Sequence, residues 1–190
     1  MIRVFLIVIF LIYSLNAKTK SDFMLGIKYY KGDGVKRDLN RAVRYFERSA
    51  KDGNIKAKYN IAVIYGSKNY QNHNYSKAFD LFLELAKNGH AKAQNRVGMA
   101  LLYGTGIDKD YKMAVRWFEE SYFNGKYKPA GCSLALMYVM GKGVFVNLGR
   151  ASKLAKDGIR YNLPLCKKVY NEFNLYKYKE DKGFKFGFYN

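Results

Sequence analysis

A repeat of about 36 residues constrains the fold of this chain more than any other feature of its sequence. A small residue recurs in steps of 36, 36 and 37 residues, at Gly26, Ala62, Gly98 and Ala135. An alanine recurs in the same steps, at Ala42, Ala78, Ala114 and Ala151. A fixed period of this length is typical of arrays of stacked helix pairs. We therefore expect an all-α fold, with one helix around each small residue and a second helix around each alanine.

Four repeats and a closing element follow from this period. We expect a repeat region over 18–158, with repeats at about 21–53, 54–89, 90–125 and 126–158. A C-terminal capping helix at 159–176, running from about Leu163 to Tyr176, and a basic aromatic tail at 177–190 would follow. Glycine commonly ends helices, and one closes each of the first three repeats, at Gly53, Gly89 and Gly125. Gly158 comes four residues early, so we expect the second helix of the fourth repeat to be about one turn short. The tail alternates phenylalanine with other residues, which favours a short strand or an extended arm.

Three of the four repeats place a Gly-x-Gly sequence between their two helices, at 32–34, 104–106 and 141–143. Two glycines around one residue permit positive φ and a tight reversal. The second repeat departs from this pattern, because Lys68 and Tyr70 stand at the glycine positions. Asp38 is a fair N-cap for the second helix of the first repeat. In the third repeat, Trp117 stands at an aromatic position of the second helix, and we expect it to be buried in the core.

The glycine loops, the small residue of the first helix, the tyrosine near its end and the alanine-aromatic pattern of the second helix resemble the Sel1-like repeat family, a branch of the tetratricopeptide superfamily. The resemblance covers about residues 21–158. It implies antiparallel helix pairs stacked into a right-handed superhelical solenoid. Family members usually act as adaptors that bind other proteins on the concave face of this array. Exported bacterial members are linked with envelope assembly, signalling and host contact.

By analogy with the superfamily, the first helix of each repeat lines the concave groove. The residue three before each small position and those one and four after it would face a partner. We expect the groove to contain Phe23, Ile27, Tyr30, Tyr59, Val63, Asn95, Met99, Leu102, Leu136 and Val139. Such a surface is apolar, with tyrosine and methionine side chains that adapt to a peptide or helix. The alternative for each residue is simple burial between helices.

The first 17 residues do not belong to the repeat. Arg3 is followed by an uninterrupted apolar run over 4–12, and Ala17 offers a small residue at a cleavage site. This pattern is typical of a secretory signal peptide, and the run is too short to span a bilayer comfortably. We expect a periplasmic or secreted protein that begins at Lys18. The alternative is an uncleaved N-terminal anchor.

The chain carries a formal net charge of +19, which falls to +18 when Arg3 is removed with the signal peptide. A strongly basic protein attracts nucleic acid, anionic lipid or an acidic protein surface. An exported protein has little access to nucleic acid, so we expect none as a partner. We expect a monomer that binds another protein or peptide, with an acidic partner or an anionic envelope surface favoured by the charge. The alternative is that the charge reflects composition, because lysine, asparagine, tyrosine and isoleucine are abundant together.

Residues that could carry chemistry do not form a recognisable catalytic set. His73 and His90 have no carboxylate or cysteine at metal-ligand spacing, so we interpret both as structural and expect no metal. The Gly-x-Gly loops lack the strand and the Lys-Ser/Thr pair of a phosphate-binding loop, and no cofactor is expected. The acidic residues of the second helices are interpreted as solvated charge, at Glu84, Glu119 and Glu120. We therefore expect a protein that is not an enzyme.

The chain has two cysteines, Cys132 and Cys166, which lie 34 residues apart. This spacing is close to one repeat and could place them on adjacent helices. Because an exported chain meets oxidising conditions, we predict a disulfide between the fourth repeat and the closing helix. The alternative is a pair of buried thiols, since free cysteine behaves as a small apolar residue.

The sequence therefore favours an exported adaptor that holds a protein or peptide in the groove of a repeat array. One alternative is an envelope hydrolase or a penicillin-binding or β-lactamase-like protein. Some cysteine-rich relatives have been described in those terms, but this chain lacks their dense cysteines. The other alternative is an immunity protein that neutralises a secreted toxin, which also requires only a binding surface. Acylation by a labelled β-lactam would favour the enzyme, and a neighbouring toxin gene would favour the immunity protein.

Overall fold

Helices form the regular secondary structure of the computed structural model, which describes residues 19–181. The helices are α1 over 19–31, α2 Leu39–Lys51, α3 Ile55–Tyr65, α4 Tyr75–Lys87, α5 Ala91–Tyr103, α6 Tyr111–Glu119, α7 Lys128–Met140, α8 Leu148–Ile159 and α9 Pro164–Glu172. They form four consecutive pairs followed by α9. The predicted all-α class of tandem helix pairs is confirmed. The predicted signal peptide and the phenylalanine-rich end of the tail lie outside the described residues.

The chain divides into two compact units, Met1–Leu81 and Phe82–Asn190. In the first unit the buried core comes from α2, α3 and the loop after α3, through Ala42, Val43, Phe46, Ala57, Ile61, Ile64 and Tyr70. In the second unit the largest fully buried side chains include Val97, Phe118, Leu134, Met137, Tyr138, Val169 and Leu175. Across residues 19–181, no helix combines the length and the apolar character that crossing a membrane requires.

The second helix of every repeat begins at an acidic or amide cap. The cap side chain accepts a hydrogen bond from the backbone N–H three residues on, which satisfies one of the free donors at a helix start. The caps are Asp38, Asn74, Asp110 and Asn147. Each cap also donates its own backbone N–H to the carbonyl nine residues earlier, at the end of the first helix. The predicted cap at Asp38 is confirmed, and the same closure recurs in all four loops.

The glycine pairs are required by backbone conformation. All six glycines of the three Gly-x-Gly loops have positive φ, between 64° and 79°, a region that residues with a side chain rarely adopt. The second repeat makes the same hydrogen bond from its cap without these glycines. Gly66, which ends α3, has a φ of −80°. Tyr70 instead lies buried in that loop, and its hydroxyl donates to Asn40 Oδ1 at 3.0 Å. A packed tyrosine thus replaces the glycine turn in the second repeat.

The small residue of the first helix makes room for a ring on the second helix. A Cβ atom at Gly26 would lie 2.5 Å from Phe46, and one at Gly98 would lie 2.6 Å from Phe118. Both phenylalanines are fully buried. Trp117, beside Phe118, is only half-buried. The prediction that Trp117 is a core residue is wrong, because Phe118 occupies the inward position of that helix.

The second helix of the third repeat contains one extra residue. α6 continues into a π-helical turn over Glu120–Asn124, which is wider than an α-helical turn. The backbone N–H of Tyr127 therefore donates to the carbonyl six residues earlier, whereas the equivalent bonds in the first two repeats reach back five. This insertion accounts for the 37-residue step. It also places the positive φ at Lys126, so the repeat closes there and not at Gly125.

The second helix of the fourth repeat is full-length. α8 has 12 residues, against 13 in α2, so the prediction of a helix one turn short is wrong. Gly158 lies inside α8, and the repeat closes at Asn162, whose φ is 55°. Asn162 lies eleven residues after Ala151, the same interval that separates Ala42 from the closing glycine of the first repeat. Asparagine adopts this left-handed conformation more readily than most residues.

The closing segment is shorter than predicted and turns back on α8. α9 ends at Glu172, because Asn174 adopts a positive φ of 50° and interrupts the helix. Leu175 then lies buried in a short 3₁₀ turn, and Ser152 donates to its carbonyl at 3.0 Å. Asp181 pairs with Arg150 at 2.9 Å, which holds the chain after the turn on the start of α8. The expected single helix to residue 176 is therefore wrong.

Candidate functional site

In the first unit the predicted groove residues lie on α1 and α3. Phe23, Ile27 and Tyr30 on α1 are half-buried and pack against the core of that unit. The ring of Phe23 lies 5.7 Å from that of Phe46. Tyr59 and Val63 on α3 are also half-buried. Each of these side chains therefore keeps some exposed surface.

In the second unit the predicted groove residues lie on α5 and α7. Asn95, Met99, Leu136 and Val139 are half-buried, whereas Leu102 is only 5% exposed. The hydroxyl oxygen of Ser133 on α7 lies 3.7 Å from the sulfur of Met99 on α5. The first helices of the third and fourth repeats therefore lie side by side. The Asn95 side-chain oxygen is buried and has no hydrogen-bond partner among the described residues.

The second unit contains a pocket of about 530 Å³ that the repeat pattern does not predict. One wall is a face of α6, formed by Lys112, Val115, Arg116 and Glu119, and the other is the loop after α7, through Gly141, Gly143, Val144 and Phe145. The four α6 residues have the spacing that aligns side chains along one helix face. Phe145 is 94% exposed. The helical spacing was visible in the sequence, but the wall across from it was not.

Glu119 is the perturbed carboxyl of this pocket. Burial raises its pKa to about 6, and the nearby Glu120 adds to the shift, while Arg150 and Arg116 act against it. The interpretation of Glu119 as solvated charge is therefore wrong. Glu120 is half-buried and accepts a hydrogen bond from Asn124 at 2.7 Å, whereas Glu84 is exposed. Amphipathic patterning does not reveal this difference, because all three glutamates lie on the polar side of a second helix.

The predicted disulfide is present. Cys132 on α7 and Cys166 on α9 are bonded, with their Cα atoms 4.7 Å apart. Gly158 of α8 lies against the bridge, where a Cβ atom would be 3.0 Å from Cys132 Sγ and 2.9 Å from Cys166 Cβ. Gly158, which the sequence pattern predicts as a helix stop, thus provides space for the disulfide.

A cluster of polar side chains joins the π turn to α8. Tyr122 and Lys128 both donate to Asp157 Oδ2, Lys128 at 2.8 Å. Burial, with the bond to Asp157, raises the pKa of Tyr122 well above its ordinary value. Although burial acts in the opposite direction, the bonds from Lys128 and Tyr122 hold the pKa of Asp157 below its usual range. These satisfied contacts stabilise the irregular end of the helix.

The histidines occupy ordinary structural positions. His90 caps α5, with its Nδ1 accepting from the Ala93 N–H at 3.2 Å, and burial lowers its pKa. His73 Nδ1 lies 3.1 Å from the Tyr70 carbonyl in the loop after α3. Within residues 19–181, no group of three or more histidine, cysteine or acidic side chains is arranged to hold a metal ion.

Comparison with known proteins places these features in a family. A family model for the Sel1 repeat matches residues 19–54, 55–90, 91–126 and 131–156. The chain is 31% identical to Protein sel-1 homolog 2 of Rattus norvegicus over 67% of its own length and 18% of that protein. It is 33% identical to the ERAD-associated E3 ubiquitin-protein ligase component HRD3 of Candida glabrata, over 42% of this chain and 9% of that protein. The chain thus spans less than a fifth of the length of these relatives.

Two solved structures share the fold. A Sel1 repeat protein from Oxalobacter formigenes aligns with a TM-score of 0.67 and 26% identity, over 78% of this chain and 61% of that one. The protective antigen c5321 of uropathogenic Escherichia coli strains, which displays an SLR fold, aligns with a TM-score of 0.72 and 25% identity, over 82% and 33%. Because the four matched repeats cover most of its length, the chain belongs to the Sel1 repeat family.

Proposed function

We propose that this protein is an exported, non-catalytic adaptor that binds a protein or peptide partner through the first helices of its repeats. Membership of the Sel1 repeat family supports a binding role. One relative is named as a component of a ubiquitin-protein ligase, which is an assembly of proteins. Half-buried apolar side chains on the first helices support a binding surface there.

The observation that carries the proposal is that α5 and α7 lie side by side, with Ser133 on α7 in contact with Met99 on α5. Met99, Leu136 and Val139 each keep exposed apolar surface on these two helices. Apolar side chains that are half-buried before binding lose little conformational freedom when a partner covers them. Methionine and leucine also fit partner surfaces of varied shape. A peptide or a helix laid across α5 and α7 would bury these side chains together.

Export is supported by the disulfide and by the N-terminal sequence. A bridge such as Cys132–Cys166 persists in oxidising compartments and is rare in the cytosol. The sequence before Lys18 has the charged, apolar and small-residue regions of a signal peptide. Mass-spectrometric reading of the N-terminus of the native protein should begin at Lys18. A native N-terminus at Met1 would contradict cleavage.

Site-specific photo-crosslinking in the producing cell tests the binding surface. A crosslinking residue at position 99 should capture a defined partner band, and Leu136→Lys in the same chain should abolish that band. A crosslinker at Met24, which is 58% exposed and outside the predicted groove, is the matched control and should not yield the band. Equal capture from both positions would contradict a specific site on α5 and α7.

The same preparation distinguishes the adaptor from the competing functions. A labelled β-lactam should leave the purified chain unmodified, whereas stoichiometric acylation would indicate a penicillin-recognising enzyme. Identification of the crosslinked partner as a toxin, with loss of protection by Leu136→Lys, would instead indicate an immunity protein. An envelope partner without toxic activity is the result that the adaptor proposal predicts.

A further inference from the structure

A pocket lies between α6 and the loop after α7, and its lining residues are not those of the faces of α5 and α7 described above. We propose that it binds an acidic protein segment, with an aromatic or large aliphatic side chain of that segment inserted between Val115, Val144 and Phe145 and flanking carboxylates paired with Lys112 and Arg116. The inference does not depend on the adaptor proposal, because its residues lie on other elements.

The exposed apolar side chains of the loop are the first support. Phe145 and Val146 are 94% and 60% exposed. The two positions are occupied in the other three repeats by polar or charged pairs, at 36–37, 72–73 and 108–109. The repeat architecture therefore does not require apolar residues here. A large exposed apolar pair beside a cleft is typical of an interaction site, and aromatic residues commonly anchor such sites.

The shape of the loop is the second support. Gly143 packs directly against the backbone of Tyr111 at the start of α6, so closely that a side chain at this position would have no room. Gly141 and Gly143 have φ of 64° and 73°, which fixes the tight reversal. The loop is thus held against α6, and the pocket wall is formed before any ligand arrives. Preorganisation of this kind lowers the cost of binding.

The charge of the rim determines the partner. Lys112 and Arg116 are exposed on α6, and Lys142 of the loop lies 5.2 Å from the ring of Tyr111. Glu119 is the carboxyl among the lining residues, and no hydrogen bond or ion pair reaches it within residues 19–181. The two cations of the α6 wall, Lys112 and Arg116, complement carboxylates on either side of an apolar anchor. A basic segment would meet repulsion from the same two side chains.

Fluorescence anisotropy with the full-length chain tests this site. One labelled probe has a phenylalanine between two pairs of glutamates, and the other has lysines in place of the glutamates. We expect the acidic probe to bind at least about tenfold more tightly, in line with complementary charge and an anchored ring. Phe145→Ala and the double variant Lys112→Glu, Arg116→Glu should each weaken it about tenfold or more, and Phe145→Leu should restore most of the affinity.

Matched controls separate the pocket from general effects of charge or folding. Phe173→Ala removes an exposed ring after α9, and Lys167→Glu reverses an exposed charge on α9. Both should leave binding of the acidic probe unchanged. Glu119→Gln should tighten binding at pH 7.5, a gain that a damaged fold would not produce.

Four results would overturn the proposal. The first is equal binding of the acidic and lysine probes, and the second is unchanged binding in Phe145→Ala. The third is binding by a chain ended after Asp181 when the full-length chain does not bind, which would assign the pocket to the chain's own residues 182–190. Formation of a dimer that Phe145→Ala dissociates would likewise assign the pocket to a second copy.

Discussion

The structural role of a single residue in this chain depends on the side chains that it contacts as much as on the helix that it belongs to. Gly158 resembles a helix terminator in sequence but lies inside α8 against the disulfide. Glu119 resembles solvated charge but lies in a pocket that raises its pKa to about 6. Neither role follows from residue type or periodicity, because each depends on a side chain from another element. Phe118 and Trp117 differ in this respect, since both are aromatic but the 36-residue period aligns only Phe118 with the buried Phe46 and Phe82.

Replacement of Gly158 by alanine should destabilise the second unit. The new Cβ would lie 3.0 Å or less from both sulfur-bearing side chains of the bridge, and overpacking of this kind costs about 1–3 kcal/mol in unfolding free energy. Urea denaturation of the purified variant measures the change. Gly66→Ala is the control, because the nearest atom to its Cβ position, the Ala62 carbonyl oxygen, lies 3.3 Å away. Equal, small effects of both substitutions would show that Gly158 is not constrained by the disulfide.

Glu119→Gln should stabilise the chain in a manner that depends on pH. The folded-state pKa of about 6 is above the ordinary value of 4.5, because burial disfavours the charged form. The wild-type chain therefore loses stability as pH rises from about 4.5 to 6. After allowance for solvent screening, glutamine should add about 1 kcal/mol at pH 7.5 and almost nothing at pH 4. Denaturation at both pH values measures this, and a gain that is the same at each would contradict the raised pKa.

The sequence predicts the helices of this fold better than it predicts the roles of single residues. The 36-residue period locates the helix pairs because each small residue must admit a ring, as Gly98 admits Phe118. The extra residue in the 37-residue step was visible, but its position was not, since a π turn and a longer loop fit the same spacing. Asn162 was missed because asparagine is also common in ordinary loops. The pocket was missed because it needs a loop and a helix from different repeats.

The disulfide should contribute substantially to the stability of the closing element. It links α7 to α9 across 34 residues, a loop length for which the unfolded-state entropy model gives about 3–4 kcal/mol. The double variant Cys132→Ala, Cys166→Ala should lower the unfolding free energy by about that amount. Thiol titration of the denatured, unreduced native protein is the accompanying measurement. Two free thiols per chain would contradict the bridge.

At the scale of the whole molecule, the chain is strongly basic. The net charge of +19 favours an acidic partner, and attraction between surface charges is screened over about 8–10 Å at 0.1–0.15 M salt. Binding of the captured partner should therefore weaken by about tenfold between 50 and 300 mM NaCl, mainly through slower association. Surface plasmon resonance measures both rates. Affinity that does not change with salt would indicate that the charge is compositional.

Hydrogen exchange of the chain with and without its captured partner tests the central claim most directly. The adaptor account predicts slower exchange in α5 and α7 on binding, especially in peptides that contain Met99 and Leu136, because a partner that covers these faces suppresses local opening. Leu136→Lys should remove that protection together with binding. A complex in which the exchange of α5 and α7 is unchanged would contradict the account.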